Sequence, residues 1–240
     1  MAFERYPVRR LEESPVAPLD RMSWPGTLAP VAQLLDHGLD LGPVTVLVGE
    51  NGSGKSTLVE AVALAYGMSP EGGSTGARHS TRASESGLGE HLRLVRHPGA
   101  SRRGYFLRAE TMHGFFTYLE SNPAWGGPEV PFHEMSHGES FLELIVDRFK
   151  KSGLWVLDEP ESALSFAGCL SLLSVLKALV AKGDSQVLIS THSPLLAAMP
   201  GATIYEVGDW GLRRREWADL DLVSSWQRFL AAPEQYLRHL

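Results

Sequence analysis

Val44-Thr45-Val46-Leu47-Val48-Gly49-Glu50-Asn51-Gly52-Ser53-Gly54-Lys55-Ser56 decides the fold. Val44 to Val48 is a short, β-branched apolar run, which reads as a buried strand. Thr57 to Tyr66 has helical character. Between them, Gly49 to Ser56 matches G-x-x-x-x-G-K-[ST] at every fixed position, and strand, glycine loop, helix is the context that a phosphate-binding loop requires. The glycines let backbone N–H groups turn inward around an anion, and the helix adds its positive N-terminal dipole. In such a loop Lys55 reaches the β- and γ-phosphates and the Ser56 hydroxyl ligates Mg²⁺. Glu50, Asn51, Gly52, Ser53, Gly54, Lys55, Ser56 and Thr57 are therefore the candidate nucleotide-binding residues.

Leu154-Trp155-Val156-Leu157-Asp158-Glu159 is a second apolar strand, ending in two acids. Ligands of open α/β sheets sit at the carboxyl ends of strands. Next to a phosphate loop, Asp158 is placed to hold Mg²⁺ and Glu159 to act as general base on the attacking water.

Further strands are expected at Gln186–Ser190 and Thr203–Val207, and helices at Thr111–Glu120, Glu139–Lys150, Leu164–Lys182 and from Pro194. His91–Arg96 and Tyr105–Ala109 read as two strands joined by a turn, and residues 71–90 as a loop. The first 40 residues predict one strand and a short helix around Val31–Leu35. Strands alternating with helices predict an α/β fold with a mainly parallel sheet. The expected organisation is one domain over residues 1–240, with core motifs in 44–207 and a helical tail in 208–240.

The formal net charge is −6, so overall charge gives no support for a nucleic-acid partner. Arginines cluster at Arg93, Arg96, Arg102, Arg103 and Arg108 and at Arg213, Arg214 and Arg215, and both clusters read as solvated faces. No apolar run approaches roughly 18 residues, the least that crosses a bilayer. Met1–Arg10 lacks the apolar segment of a signal peptide, and the single cysteine, Cys169, suits a reducing compartment. The expectation is a cytoplasmic protein.

The ordered set of motifs resembles the ATP-binding-cassette (ABC) ATPase family. Ser136-His137-Gly138-Glu139, after Met135, looks like the family signature LSGGQ or LSGGE. Ser162-Ala163-Leu164-Ser165 looks like its D-loop, and Thr191-His192-Ser193 like its switch histidine. The resemblance implies the P-loop fold of the ABC type, with helices on both faces of the sheet, a small antiparallel β region and a short helical region. It implies ATP and Mg²⁺ as ligands, and two copies paired head to tail as an ATP-dependent homodimer. Ser136, Gly138 and Glu139 of one copy would then face the γ-phosphate held by the other, while His192 would contact it from its own subunit.

Three positions depart from the family pattern. His137 replaces the first signature glycine, and Ser165 stands where the D-loop ends in Asp. The family's magnesium-contacting glutamine is missing, since Gln33 is the only glutamine before Met135. Tyr105–Glu110 occupies that segment, so Glu110 or its rival Arg108 substitutes for it, or the segment is a plain strand end. Upstream, Trp24 either stacks on adenine or packs against the domain edge.

Glu139 in the signature looks more like the branch of chromosome-organising SMC and repair ATPases. Residues 158–165 and 191–194 look like a group of small bacterial ATPases related to it. Residues 57–135 carry no heptads, so the chain is expected to be a stand-alone head without coiled-coil arms or a membrane domain. Three functions remain open: an ATPase acting on DNA or a DNA-processing partner, the nucleotide-binding subunit of an ABC transporter, or a nucleotide-gated interaction switch.

Overall fold

The computed structural model describes residues 5–70, 72–75, 86–108, 145 and 151–238. In chain order the elements are β1 (Val8–Glu13), α1 (Ala29–His37), β2 (Leu39–Asp40), β3 (Val44–Val48), α2 (Lys55–Tyr66), β4 (Gly73–Ser74), β5 (Leu92–Arg96) and β6 (Gly104–Arg108). They continue with β7 (Leu154–Asp158), α3 (Phe166–Val180), β8 (Gln186–Thr191), α4 (Pro194–Ala197), β9 (Thr203–Gly208), β10 (Gly211–Arg215), α5 (Asp221–Ala231) and α6 (Pro233–Leu237).

Seven strands form the main sheet in the order β10-β9-β3-β8-β7-β6-β4. The five inner strands run parallel, and the two edge strands are antiparallel to their neighbours. Every residue of β3, β7 and β8 is buried. That is why the centres of these strands read as largely apolar runs rather than alternating ones. Each face of the sheet carries its own core. Leu47, Phe106, Val156 and Leu188 pack with Leu58 and Val62 of α2 and Leu34 of α1. Val46, Leu107, Leu157 and Ile189 point the other way and pack with Leu172, Leu176 and Leu179 of α3. Each fully buried Leu or Val contributes roughly 1.5–3 kcal/mol relative to exposure.

A three-stranded antiparallel sheet, in the order β2-β1-β5, forms the small β region. Here the structure corrects the sequence reading: β5 and β6 are not a hairpin. β5 pairs with β1, whereas β6 joins the main sheet beside β7. The turn between them carries the chain from one sheet to the other. A second correction concerns the segment after residue 207. Gly211–Arg215, at the start of the expected helical tail, pairs antiparallel with β9 as an edge strand, and its Arg213 and Arg214 are exposed, as the reading of a solvated face expects. Helices begin only at α5. The helices expected at 111–120 and 139–150 lie outside the described residues, except that Ile145 is helical and buried.

The two sheets are tied by Gln186, at the start of β8. Its amide oxygen accepts from Val8 N at 2.8 Å, and its Nε2 donates to Val8 O at 2.6 Å and Gly42 O at 2.9 Å. Gln186 is 1% exposed, so these backbone groups have no water to replace it. Gln186→Leu keeps the bulk and removes the partners. It is expected to lower unfolding free energy by about 3 kcal/mol, read from urea denaturation at unchanged m-value; a loss under about 0.5 kcal/mol would refute the tie.

Candidate nucleotide site

Three loops converge at the carboxyl ends of β3, β7 and β8. The first joins β3 to α2. Gly52 and Gly54 have φ of 79° and 97°, backbone that L side chains rarely adopt. A Cβ on Gly49 would sit 2.2 Å from Val207 O. Only glycine therefore fits where the chain leaves β3. Gly54 is the residue before α2, so the helix begins at Lys55 and Ser56, and its free N–H groups face the loop. Lys55 is 3% exposed and its Nζ donates to Glu50 O at 2.8 Å, folding the side chain back across the loop. Burial pushes the Lys55 pKa down, opposed by the charges of Glu159, Asp158 and Glu161. Ser53 Oγ is buried without a hydrogen-bond partner. A buried lysine, an unpartnered hydroxyl and a helix N-terminus form a cradle suited to phosphate oxygens.

The second loop leaves β7. The two acids read from the sequence part ways here. Asp158 is 3% exposed and continues the face of Leu154 and Val156 towards α2. Its Oδ1 accepts a short hydrogen bond from Ser190 Oγ. Burial pushes the Asp158 carboxyl above its ordinary range, while hydrogen bonds from Ser190 and Ser56 and the charge of Arg108 pull it back. Glu159 follows in the left-handed region (φ 49°, ψ 50°), the one described non-glycine residue with positive φ. This turn sends its side chain to His192, whose Nε2 lies 2.6 Å from Glu159 Oε1.

The third loop leaves β8. Thr191 Oγ1 and the His192 backbone N–H both donate to Glu161 Oε1, at 2.7 and 2.5 Å. Ser193 caps α4 by accepting from Leu196 N. The sequence reading did not single out Glu161, Ser190 or Glu60. Glu161 stands one residue past Pro160 in a strand-end turn, where an acid reads as solvated. Only the pairing of β7 with β8 reveals that it anchors the histidine loop. Ser165 Oγ accepts from Gly168 N at 3.1 Å and caps α3, work that Asp does equally well.

Lys55, Ser56, Asp158, Glu159 and His192 are thus brought together. Arg108 belongs with them: it ends β6 in register with Asp158 and reaches it at 3.3 Å. Trp24 is 53% exposed, on the segment before α1. Glu110, Ser136, Gly138 and Glu139 lie outside the described residues.

Magnesium fits the donors present. Ser56 and Asp158 offer two hard oxygens, and the Ser56 hydroxyl helps hold down the pKa of the Asp158 carboxyl. Magnesium is commonly bound by one or two protein oxygens plus substrate phosphates and water. Among the described residues no cluster of three or more acids, histidines or cysteines could hold a metal alone.

A mainly parallel sheet with this glycine loop and this acid at the ends of the two strands that flank β8 defines a P-loop nucleotide-binding protein. Residues 35–101 match the model of an AAA domain family. The chain is 30% identical over 181 residues to the cytochrome c biogenesis ATP-binding export protein CcmA of Rhizobium etli, covering 65% of this chain and 79% of that protein. The counterpart from Rhizobium johnstonii is 31% identical over 176 residues, covering 65% and 79%. Among solved structures, the SMC head domain from Thermotoga maritima aligns with a TM-score of 0.42 at 16% identity, over 75% of this chain and 93% of that one. The chain belongs to the ABC-type P-loop ATPases, which are ATP hydrolases. No helix among the described residues is long and apolar enough to cross a membrane.

Glu161→Ala removes the acceptor shared by Thr191 and His192. We expect kcat for ATP hydrolysis to fall about tenfold with KM little changed, and Glu161→Gln, which keeps an acceptor oxygen, to recover most of it. Equal losses in the two variants would mean that the charge, not the anchoring of the loop, matters.

Proposed function

We propose that this chain binds MgATP at the β3–α2 loop and hydrolyses it with Glu159 as general base. The observation that carries the reading is the separation of the two acids. Asp158 is directed to Ser56 and Ser190, and Glu159 to His192. Two adjacent carboxylates with different surroundings can take different roles.

Residues 50–57 would wrap the phosphates, with Lys55 leaving Glu50 O for the β- and γ-phosphate oxygens. Ser56 and Asp158 would hold magnesium, which when bound neutralises phosphate charge and orients the chain for in-line attack. Glu159 would take the proton of the attacking water. His192, against the Glu159 carboxylate, would fix its direction and face the γ-phosphate. Trp24 is the candidate for stacking on adenine.

Because Ser136, Gly138 and Glu139 resemble the ABC signature, two copies would close head to tail on ATP, each supplying its signature to the other's nucleotide. DNA or a DNA-processing protein is the first reading of the partner, supported by the signature ending in Glu139 and by the missing glutamine. The similarity to an ATP-binding export protein favours a second reading, the nucleotide-binding subunit of a membrane transporter. A cytoplasmic location suits both.

Lys55→Ala should abolish binding of a fluorescent ATP analogue; undiminished binding would sink the loop assignment. Glu159→Gln should still bind nucleotide, hydrolyse it about 10²-fold or more slowly, and accumulate as a dimer in MgATP by light scattering. A monomer at saturating MgATP would remove the head-to-tail mechanism. Steady-state hydrolysis with and without linear duplex DNA, using Glu159→Gln as the blank, separates the partners. Stimulation that fades with salt selects DNA, and indifference to DNA leaves a protein or membrane partner.

A further inference from the structure

The parallel register places Arg108, Asp158 and Ser190 in one row across β6, β7 and β8. Their side chains share the face covered by α2, which supplies Glu60. Arg108 Nε lies 3.3 Å from Asp158 Oδ2, and its Nη1 donates to Glu60 Oε2 at 3.1 Å. The side chains of Arg108, Glu60 and Asp158 are 16%, 5% and 4% exposed. Ser190 holds the other Asp158 oxygen. Two desolvated carboxylates are therefore bridged by one guanidinium, at the strand end where the family pattern leads one to expect a neutral, magnesium-contacting amide.

A pair of buried carboxylates without a cation is costly, and removing one partner of such a pair leaves an uncompensated charge. The guanidinium is a permanent positive charge with a fixed fork of donors that suits two carboxylates at once. A divalent ion at Asp158 would face that charge at close range and be repelled by it. We propose that Arg108 is a built-in countercation: without nucleotide it stands in for the divalent ion at Asp158 and keeps free metal out. Metal then enters only with the phosphate oxygens of the nucleotide, whose negative charge offsets the repulsion. The proposal rests on the reading that Ser56 and Asp158 hold the metal of MgATP. It differs from a purely structural ion pair in one consequence: removing Arg108 should create a metal site in the nucleotide-free protein.

The test is the thermal midpoint of the nucleotide-free full chain in MgCl₂ against NaCl of equal ionic strength. Wild type and Arg108→Lys, which keeps the charge, are expected to show no magnesium-specific shift. Arg108→Gln should melt lower in NaCl and regain about 3 °C or more in MgCl₂. Arg108→Gln that ignores magnesium, or a wild type that gains as much, overturns the proposal. Should Arg108→Gln fail to fold in either salt, Arg108→Gln/Glu60→Gln removes the cation with one of its anions. Its magnesium requirement for binding a fluorescent ATP analogue should fall about threefold or more from wild type; an unchanged requirement also overturns it. Asp158→Asn in the wild-type background isolates the underlying reading. If magnesium tightens nucleotide binding as much in that variant as in wild type, the metal assignment fails; if the tightening is lost, any failure belongs to Arg108 alone.

Discussion

A carboxylate held away from water at the end of a central strand is the constraint on which the rest of the site depends. Asp158 is 3% exposed, and its burial alone would favour the protonated form. The fold answers with two hydroxyls and a guanidinium, from Ser190, Ser56 and Arg108, drawn from three different elements. None is a near neighbour of Asp158 in sequence. All three arrive because β6, β7 and β8 are parallel and in register, and because α2 starts directly over the end of β3. The sheet order is thus an electrostatic requirement as well as a packing solution.

The left-handed Glu159 follows from the same constraint. If the strand ran on undisturbed, the next side chain would simply alternate to the opposite face. The chain instead turns at φ 49°, a conformation that costs a non-glycine residue about 1 kcal/mol or more. Backbone hydrogen bonds fix the turn: Glu159 N donates to Ser190 O at 3.1 Å, and Ser162 N donates to Glu159 O at 3.0 Å. The cost is met by the pairing of β7 with β8 and yields a second acid beside the first with a different partner, His192. Glu161, two residues on, then holds the backbone of that same histidine. One short turn therefore orients the base and the loop that carries its partner.

The sequence disclosed whatever is local. Val44–Val48, the glycine loop and α2 are contiguous, and the largely apolar strands betray a parallel sheet because both of their faces are buried. Leu154–Asp158 and Gln186–Thr191 were legible for the same reason. What stayed hidden is long-range. β5 and β6 look like a hairpin because adjacent strands usually pair, yet they serve different sheets. Gly211–Arg215 looks like a charged surface segment because an edge strand is free to be polar on its open side. Glu60 and Ser190 carry no motif, and their importance comes from which strand and helix lie opposite them.

The two departures from the family pattern that fall on described residues are of two physical kinds. Ser165 in place of aspartate leaves the hydrogen bond intact, since either side chain accepts from the third backbone N–H of α3. Arg108 changes the field instead. A neutral amide at the end of β6 would leave the charge at Asp158 to be balanced by the metal alone, whereas a guanidinium supplies positive charge before any ligand arrives. Glu60, 4% exposed on the helix that the phosphate loop opens, is what makes that charge tolerable. The arginine and the glutamate act as one unit, joining the end of β6 to the helix that begins at Lys55.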